Sequence, residues 1–195
     1  MDRRTRKRAD TRAALYDAAV ALLGDVDYDD LTVEQVCVQA GVGRATFFRH
    51  FDGKSGLIRE FNRRLAEHAE AELAWAESAT AVERLRIIQG CVAAGWREAV
   101  PGVRKMGIEA ARVMDPSGRE IHPELLGMVH DIVREGLDSG ELSSMLAPDL
   151  VAFLVVAHLA AATGYWFLDP ARDLDELTRA ALDQCLSGLS RGPAG

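Results

Sequence analysis

The 195-residue chain is predicted to be all-α, with about nine helices, and three observations predict it. Apolar residues recur at i, i+3, i+4 and i+7 in one stretch after another, and no stretch shows the alternation of a strand. Alanine is abundant and aromatic residues make up only 6%, a composition that suits packed helices better than sheets. The helical stretches are separated by proline and glycine, at Pro101-Gly102, at Asp115-Pro116-Ser117-Gly118, at Pro123 and at Ser139-Gly140. The length allows a substantial core, either as one domain or as a small domain joined to a larger one.

Residues 1–9 hold Arg3, Arg4, Arg6, Lys7 and Arg8 and are expected to form a flexible basic arm, either a solvated tail or a segment that touches phosphates or a minor groove once DNA is bound. A first helix is predicted over about 10–23, where Leu15, Ala18, Ala19 and Leu22 share a face. Gly24 is expected to end it, and the acidic loop 25–30 follows.

The stretch LTVEQVCVQAGVGRATFFRHFDGK, residues 31–54, reads as two short helices joined by a tight turn. Thr32 and Gln35 have the spacing of a capping box, in which each side chain satisfies a backbone N–H at the other's position. Val33, Val36, Cys37 and Ala40 fall on one helical face. Gly41 stands where a left-handed stop is needed. The second run, 44–51, interleaves Phe47, Phe48 and Phe51 with Arg44, Thr46, Arg49 and His50. This is a helix-turn-helix whose second helix is basic. Gly41-Val42-Gly43 is not a dinucleotide loop, because Thr46 stands where the third glycine would be and no strand precedes it.

The run TVEQVCVQAGVGRATFFRHF resembles the DNA-binding signature of the TetR family of bacterial transcriptional regulators, over roughly residues 10–65. The resemblance implies a three-helix DNA-binding domain over 10–65, with its motif at 32–51. It also implies a helical domain over 66–189 that binds a small ligand and dimerises, and the tail 190–195 is expected to be loose. The DNA-contacting positions it implies are Thr32, Val33, Gly43, Arg44, Ala45, Thr46, Phe48, Arg49, His50 and Lys54. Arg44 can offer guanine O6 and N7 a bidentate contact. Ala45 and Thr46 are small enough for close approach, while His50 and Lys54 match positions that hold phosphates. Three residues depart from the family pattern. Phe48 stands where tyrosine usually donates to a phosphate, Gly43 where Ser or Thr usually caps the recognition helix, and Gly53 where a polar cap usually precedes Lys54.

Charge divides the chain. Residues 1–64 hold 12 Lys/Arg against 10 Asp/Glu, and the remainder 11 against 20, within a net charge of −7. The amino-terminal part is therefore the part able to meet phosphates. Beyond it, helices are predicted at about 54–78 (bridging the two domains), 82–100, 103–114 and 124–137. Residues 150–168 carry no charged side chain, and a helix there is apolar all round. Flanking aspartates in place of Lys or Arg anchors argue against a membrane span. Such a helix is expected to bury one face in its own domain and another against a second subunit. The last helix is predicted at about 173–189. By resemblance, the helices at about 148–168 and 173–189 pair with their copies in a homodimer.

Cys37, Cys91 and Cys185 lie far apart in apolar helical patterns, so free thiols in a reducing cytoplasm are expected. The charged amino terminus lacks the apolar segment of a secretory leader. His68, His122, His130 and His158 are scattered, and neither a metal nor a cofactor is predicted. The absence of a GxSxG, HExxH or P-loop pattern argues against an enzyme. Trp75, Trp96, Met106, Met114, Met128 and Trp166 could line an apolar effector cavity, although core packing accounts for each individually. The predicted function is a repressor that binds double-stranded operator DNA and is released from it by a small molecule. Two alternatives are a helical carrier or enzyme with a vestigial DNA domain, and an interaction protein whose basic end docks an acidic partner.

Overall fold

A computed structural model describes residues 3–112 and 122–187, and the described residues contain nine helices and no strand. They run α1 (Arg3–Asp25), α2 (Val33–Gln39), α3 (Arg44–His50), α4 (Ser55–Ala74), α5 (Ala81–Glu98), α6 (Pro101–Arg112), α7 (Pro123–Ser139), α8 (Pro148–Leu168) and α9 (Leu174–Ser187). The Asp115–Gly118 break, Met114, the end of the last helix and the 190–195 tail lie outside the described residues.

The chain forms two compact units. Unit 1 comprises Met1–Phe61 with Ala99–Met114, and unit 2 comprises Asn62–Glu98 with Asp115–Gly195. This corrects the single domain expected over 66–189, because α6 belongs with the amino-terminal helices. The cause is a close approach that only glycine allows. A Cβ on Gly102 would lie 2.4 Å from the Val20 carbonyl oxygen and 3.1 Å from the Leu23 Cβ, so α6 can press directly on the backbone of α1. Val103 and Met106 are buried beside it. Lys105 Nζ donates to the Val26 carbonyl at 2.7 Å and lies 3.3 Å from the Asp27 carboxylate. These partners are about 80 positions apart in the chain, so no local pattern announces them.

The basic start is also corrected. Residues 3–9 are the exposed opening turns of α1 rather than an irregular arm. Arg, Lys and Ala are strong helix formers, and no glycine or proline interrupts the segment before Gly24. Thr11 Oγ1 donates to the Lys7 carbonyl at 2.9 Å, as a hydroxyl inside a continuous helix does. Gly24 does not end this helix, which runs on to Asp25. On its inner side, α1 buries Leu15, Tyr16, Ala18, Ala19 and Leu23.

In unit 2, α8 packs on α7 and α9, and α5 touches α7, α8 and α9. Thr80 and Glu83 form a capping box at the start of α5: Glu83 N donates to Thr80 Oγ1 at 3.2 Å, and Thr80 N to Glu83 Oε2 at 2.8 Å. Those hydrogen bonds hold the Glu83 carboxyl below its ordinary pKa. The buried Gln89 amide donates to Thr178 Oγ1 at 2.8 Å and to Asp175 Oδ1 at 3.1 Å, which ties α5 to α9. Gly140, in the left-handed conformation at φ 79°, ends α7, and Leu142 N returns to the Gly136 carbonyl at 2.9 Å.

Candidate nucleic-acid interface

The turn between α2 and α3 forms from its own chemistry. The Thr32 side chain accepts from Gln35 N at 3.2 Å, and Gln35 Oε1 accepts from Thr32 N at 2.7 Å, completing the capping box. Gly41 adopts φ 66°, and Val42 N bonds back to the Cys37 carbonyl at 2.9 Å. Gly43 caps α3 through its backbone alone, with no side-chain hydrogen bond.

Two phenylalanines seat α3. Phe47 is fully buried and Phe51 nearly so, with ring centroids 5.5 Å apart. Their burial leaves Arg44, Ala45, Phe48 and Arg49 on the open side of the helix, with Thr46 and His50 half-buried at its edges. Phe48 is 51% exposed and meets Phe47 edge-on at 5.4 Å. An apolar ring left in water at this place is suited to a base edge or sugar. On α2, Thr32 is exposed and Val33 half-buried, and Val38 is also exposed. The Arg44 guanidinium lies over the Phe48 ring at 5.9 Å and pairs with the Glu34 carboxylate.

Beside α3 lies a polar cleft of about 350 Å³ lined by Arg12, Arg49, His50, Asp52 and Arg59. Arg12 is engaged within it. Its Nε bonds the buried Glu60 carboxylate at 2.5 Å, its Nη1 donates to the His50 carbonyl at 3.1 Å, and its guanidinium stands 4.8 Å over the Phe51 ring. Arg59 pairs with Asp52. The His50 pKa is lowered, first by burial and then by Arg8, Arg12 and Arg49, so the ring is neutral near pH 7. Lys54 is also engaged. Its Nζ donates to the carbonyls of Tyr28 at 2.7 Å and Asp29 at 3.3 Å and sits 4.7 Å from the centre of the Tyr28 ring. Lys54 therefore fixes the loop before α2 in the free protein.

Of the motif residues, Arg44, Ala45, Phe48 and Arg49 share the open side of α3, whereas the suggested effector residues do not come together. Trp75 is 90% exposed at the end of α4, and Met106 is buried in unit 1. Met114 lies outside the described residues, and Met128 is half-buried on α7. Trp96 and Trp166 are buried in unit 2, where both meet Phe167, at 5.1 and 5.6 Å. The Trp166 indole donates to the Arg172 carbonyl at 3.2 Å, a structural bond. Unit 2 instead offers an apolar-lined groove of about 610 Å³ between α7 and α8, with Leu126, Gly127, His130, Leu150 and Phe153 on its walls. No local pattern announces this groove, since its two sides come from separate helices.

Burial pushes the His122 pKa down to about 4, and His158 Nδ1 lies 2.6 Å from the Leu154 carbonyl. Cys37 and Cys91 are buried and Cys185 is half-buried; all three are free, with pKa values raised by burial. Among the described residues, no cluster of His, Cys, Asp or Glu has the arrangement of a metal site. Glu34 and Arg12 were not anticipated from sequence. Arg12 meets its partner 48 positions away, beyond any local pattern, whereas Glu34 could have been found by placing α2 beside the start of α3 across so short a turn.

Residues 15–61 match the family described as bacterial regulatory proteins, tetR family. Across 90% of its length the chain is 25% identical to the fatty acid metabolism regulator protein of Bacillus subtilis (strain 168), covering 93% of that protein. In fold it is similar to Thermus thermophilus FadR, a TetR-family transcriptional repressor solved in complex with lauroyl-CoA. That TM-score is 0.73 at 21% identity, with 94% of this chain and 98% of the other covered. It is likewise similar to FadR from Bacillus subtilis in complex with stearoyl-CoA, with TM-score 0.69, 23% identity and coverage of 91% and 99%.

Proposed function

We propose, from the match of residues 15–61 to the tetR family of bacterial regulatory proteins, that the chain is an operator-binding repressor released by a small effector, acting as a homodimer. It is a DNA-binding regulator and not an enzyme. One observation carries the reading: α3 is locked from within by Phe47 and Phe51 while its open side offers Arg44, Phe48 and Arg49. A rigid helix so presented can enter a major groove, with Arg44 reading guanine and Arg49 and His50 meeting phosphates. The opening of α1 supports this. Arg3, Arg4 and Arg6 gather at the helix end that is already positive, and no acidic residue stands in that first turn. A phosphate backbone alongside would relieve the repulsion.

The homodimer reading rests on α8. Its residues 150–168 carry no charge, yet Leu150, Tyr165 and Leu168 are 43%, 48% and 81% exposed. By length and composition α8 could cross a membrane. Here, however, it is packed between α7 and α9, whose outer sides carry charged residues such as Asp131, Arg134, Glu176 and Arg179. A second copy of the same helix pair would cover the apolar residues left open. In such a dimer the two recognition helices enter successive major grooves when they stand ~34–36 Å apart. An effector that favours another spacing lowers operator affinity by its preference between the two states.

For the effector, the proposal is a long-chain acyl thioester of coenzyme A held in unit 2, on the strength of the acyl-CoA complexes of two similar proteins. The groove between α7 and α8 has a volume in the range of small-molecule sites, about 300–1,000 Å³. Mobility-shift titrations test both halves of the proposal. The expected result is a sequence-specific complex at moderate salt that lauroyl-CoA or stearoyl-CoA dissociates and free coenzyme A does not. A complex that forms on any duplex and vanishes with salt would overturn the repressor reading. A specific complex indifferent to both thioesters would overturn only the effector.

A further inference from the structure

Glu34 is an acidic residue on the surface that the regulator reading turns toward DNA, in the first turn of α2. Its pair with Arg44 is solvent-exposed on both sides, with side-chain exposures of 53% and 63%, and such pairs contribute little to stability. A carboxylate approaching a polyanion also opposes binding to any duplex. Its position has a chemical use nonetheless. Glu34 holds one terminal nitrogen of the Arg44 guanidinium, and the Phe48 ring lies beneath the same group at 5.9 Å. Two neighbours thus contact the guanidinium, and its nitrogens other than the one held by Glu34 stay available as a fork. One oxygen of Glu34 remains to accept a hydrogen bond. Val38 stands one turn further along α2 and is 83% exposed, so this side of α2 is open for an approaching base edge.

We infer that Glu34 is a specificity-determining residue that reads a guanine and a neighbouring cytosine jointly with Arg44. Arg44 donates to guanine O6 and N7, while the free carboxylate oxygen of Glu34 accepts from the cytosine N4 amino group. The same charge repels the acceptor atoms that guanine or thymine would present at the cytosine position, and it weakens attachment to unrelated sequences. Glu34 thereby exchanges overall affinity for discrimination. The inference rests on the operator-binding reading.

The test is selection of bound duplexes from a random pool by the full-length protein and by Glu34→Gln, Glu34→Asp and Arg44→Ala, with thermal melts to show that each variant is folded. The wild-type motif is expected to contain a guanine beside a cytosine. Glu34→Gln should keep the guanine, lose the cytosine preference, and bind a scrambled duplex more tightly, so that the ratio of specific to non-specific affinity falls about tenfold. Glu34→Asp should retain the cytosine preference, which a merely stabilising role in the first turn of α2 would not require. A Glu34→Gln motif and affinity ratio equal to the wild type's would overturn the inference and leave the regulator reading standing. A wild-type protein that enriches no motif would overturn both.

Discussion

α3 and α8 both leave an open side, and they leave opposite things on it. The first is seven residues long, hides Phe47, and shows cations around one apolar ring. The second is 21 residues long and hides Val151, Ala152, Val155, Val156 and Leu159. Its open side shows Leu150, Tyr165 and Leu168. The anchoring principle is shared, since each is fixed by large apolar side chains turned inward. What differs is the partner that the uncovered chemistry can accept: phosphates and base edges for α3, an apolar surface for α8. The inward residues therefore specify that a helix is held, and the outward ones specify what it is held for.

The contrast breaks most completely if the anchor is removed. Phe47→Ala should destabilise unit 1 by about 3–5 kcal/mol, read as a lowered urea midpoint, because a large fully buried ring is lost. DNA binding should fail with it. On α8, the double substitution Tyr165→Glu and Leu168→Glu should leave the helical signal intact and convert the proposed dimer to monomer by sedimentation at micromolar concentration. An unchanged sedimentation coefficient would remove α8 from the interface.

Within unit 1 the contrast sharpens between neighbours on α3. Arg44→Ala should cost about 1–3 kcal/mol at one base position and little on a duplex already mismatched there. Arg49→Gln should instead weaken all duplexes alike and reduce the slope of log K against log salt by about one. A quantitative titration of both variants on matched and mismatched duplexes separates the two roles.

His50 gives a pH dependence whose sign follows from its environment. In the free protein its pKa lies below 6.5, so near pH 7 the ring carries no charge. An adjoining phosphate raises that pKa, and the complex then binds a proton that the free protein does not. Affinity should therefore rise as pH falls below about 7, until the free protein is protonated as well. Anisotropy titrations from pH 7.5 to about 5.5 should show the rise in wild type and a flatter profile in His50→Gln. The smallest effect is expected at the cap. Thr32→Ala should lower stability by about 1 kcal/mol through loss of the hydroxyl that accepts from Gln35 N.

The sequence by itself determined whatever depends on neighbours a few positions apart. Thr32 with Gln35 marked the start of α2, and Gly41 marked the left-handed stop. The period of the phenylalanines separated the buried Phe47 and Phe51 from Arg44 and Arg49. Local rules failed where a favourable local tendency ran on further than expected, as in α1, whose Arg- and Lys-rich start continues as helix because nothing interrupts it.

Only the tertiary structure decided the rest. It alone placed α6 with the amino-terminal helices, through a missing Cβ at Gly102 against the backbone of α1. It alone engaged Lys54 with the Tyr28 carbonyl, Arg12 with Glu60, and Arg44 with Glu34. It also scattered the Trp and Met residues that composition had grouped, and opened a groove between α7 and α8 instead. The physical reason is common to all of these. Helix starts, stops and faces are set by hydrogen bonds and side-chain directions within a turn or two, whereas these contacts join segments that the chain brings together only after it has folded.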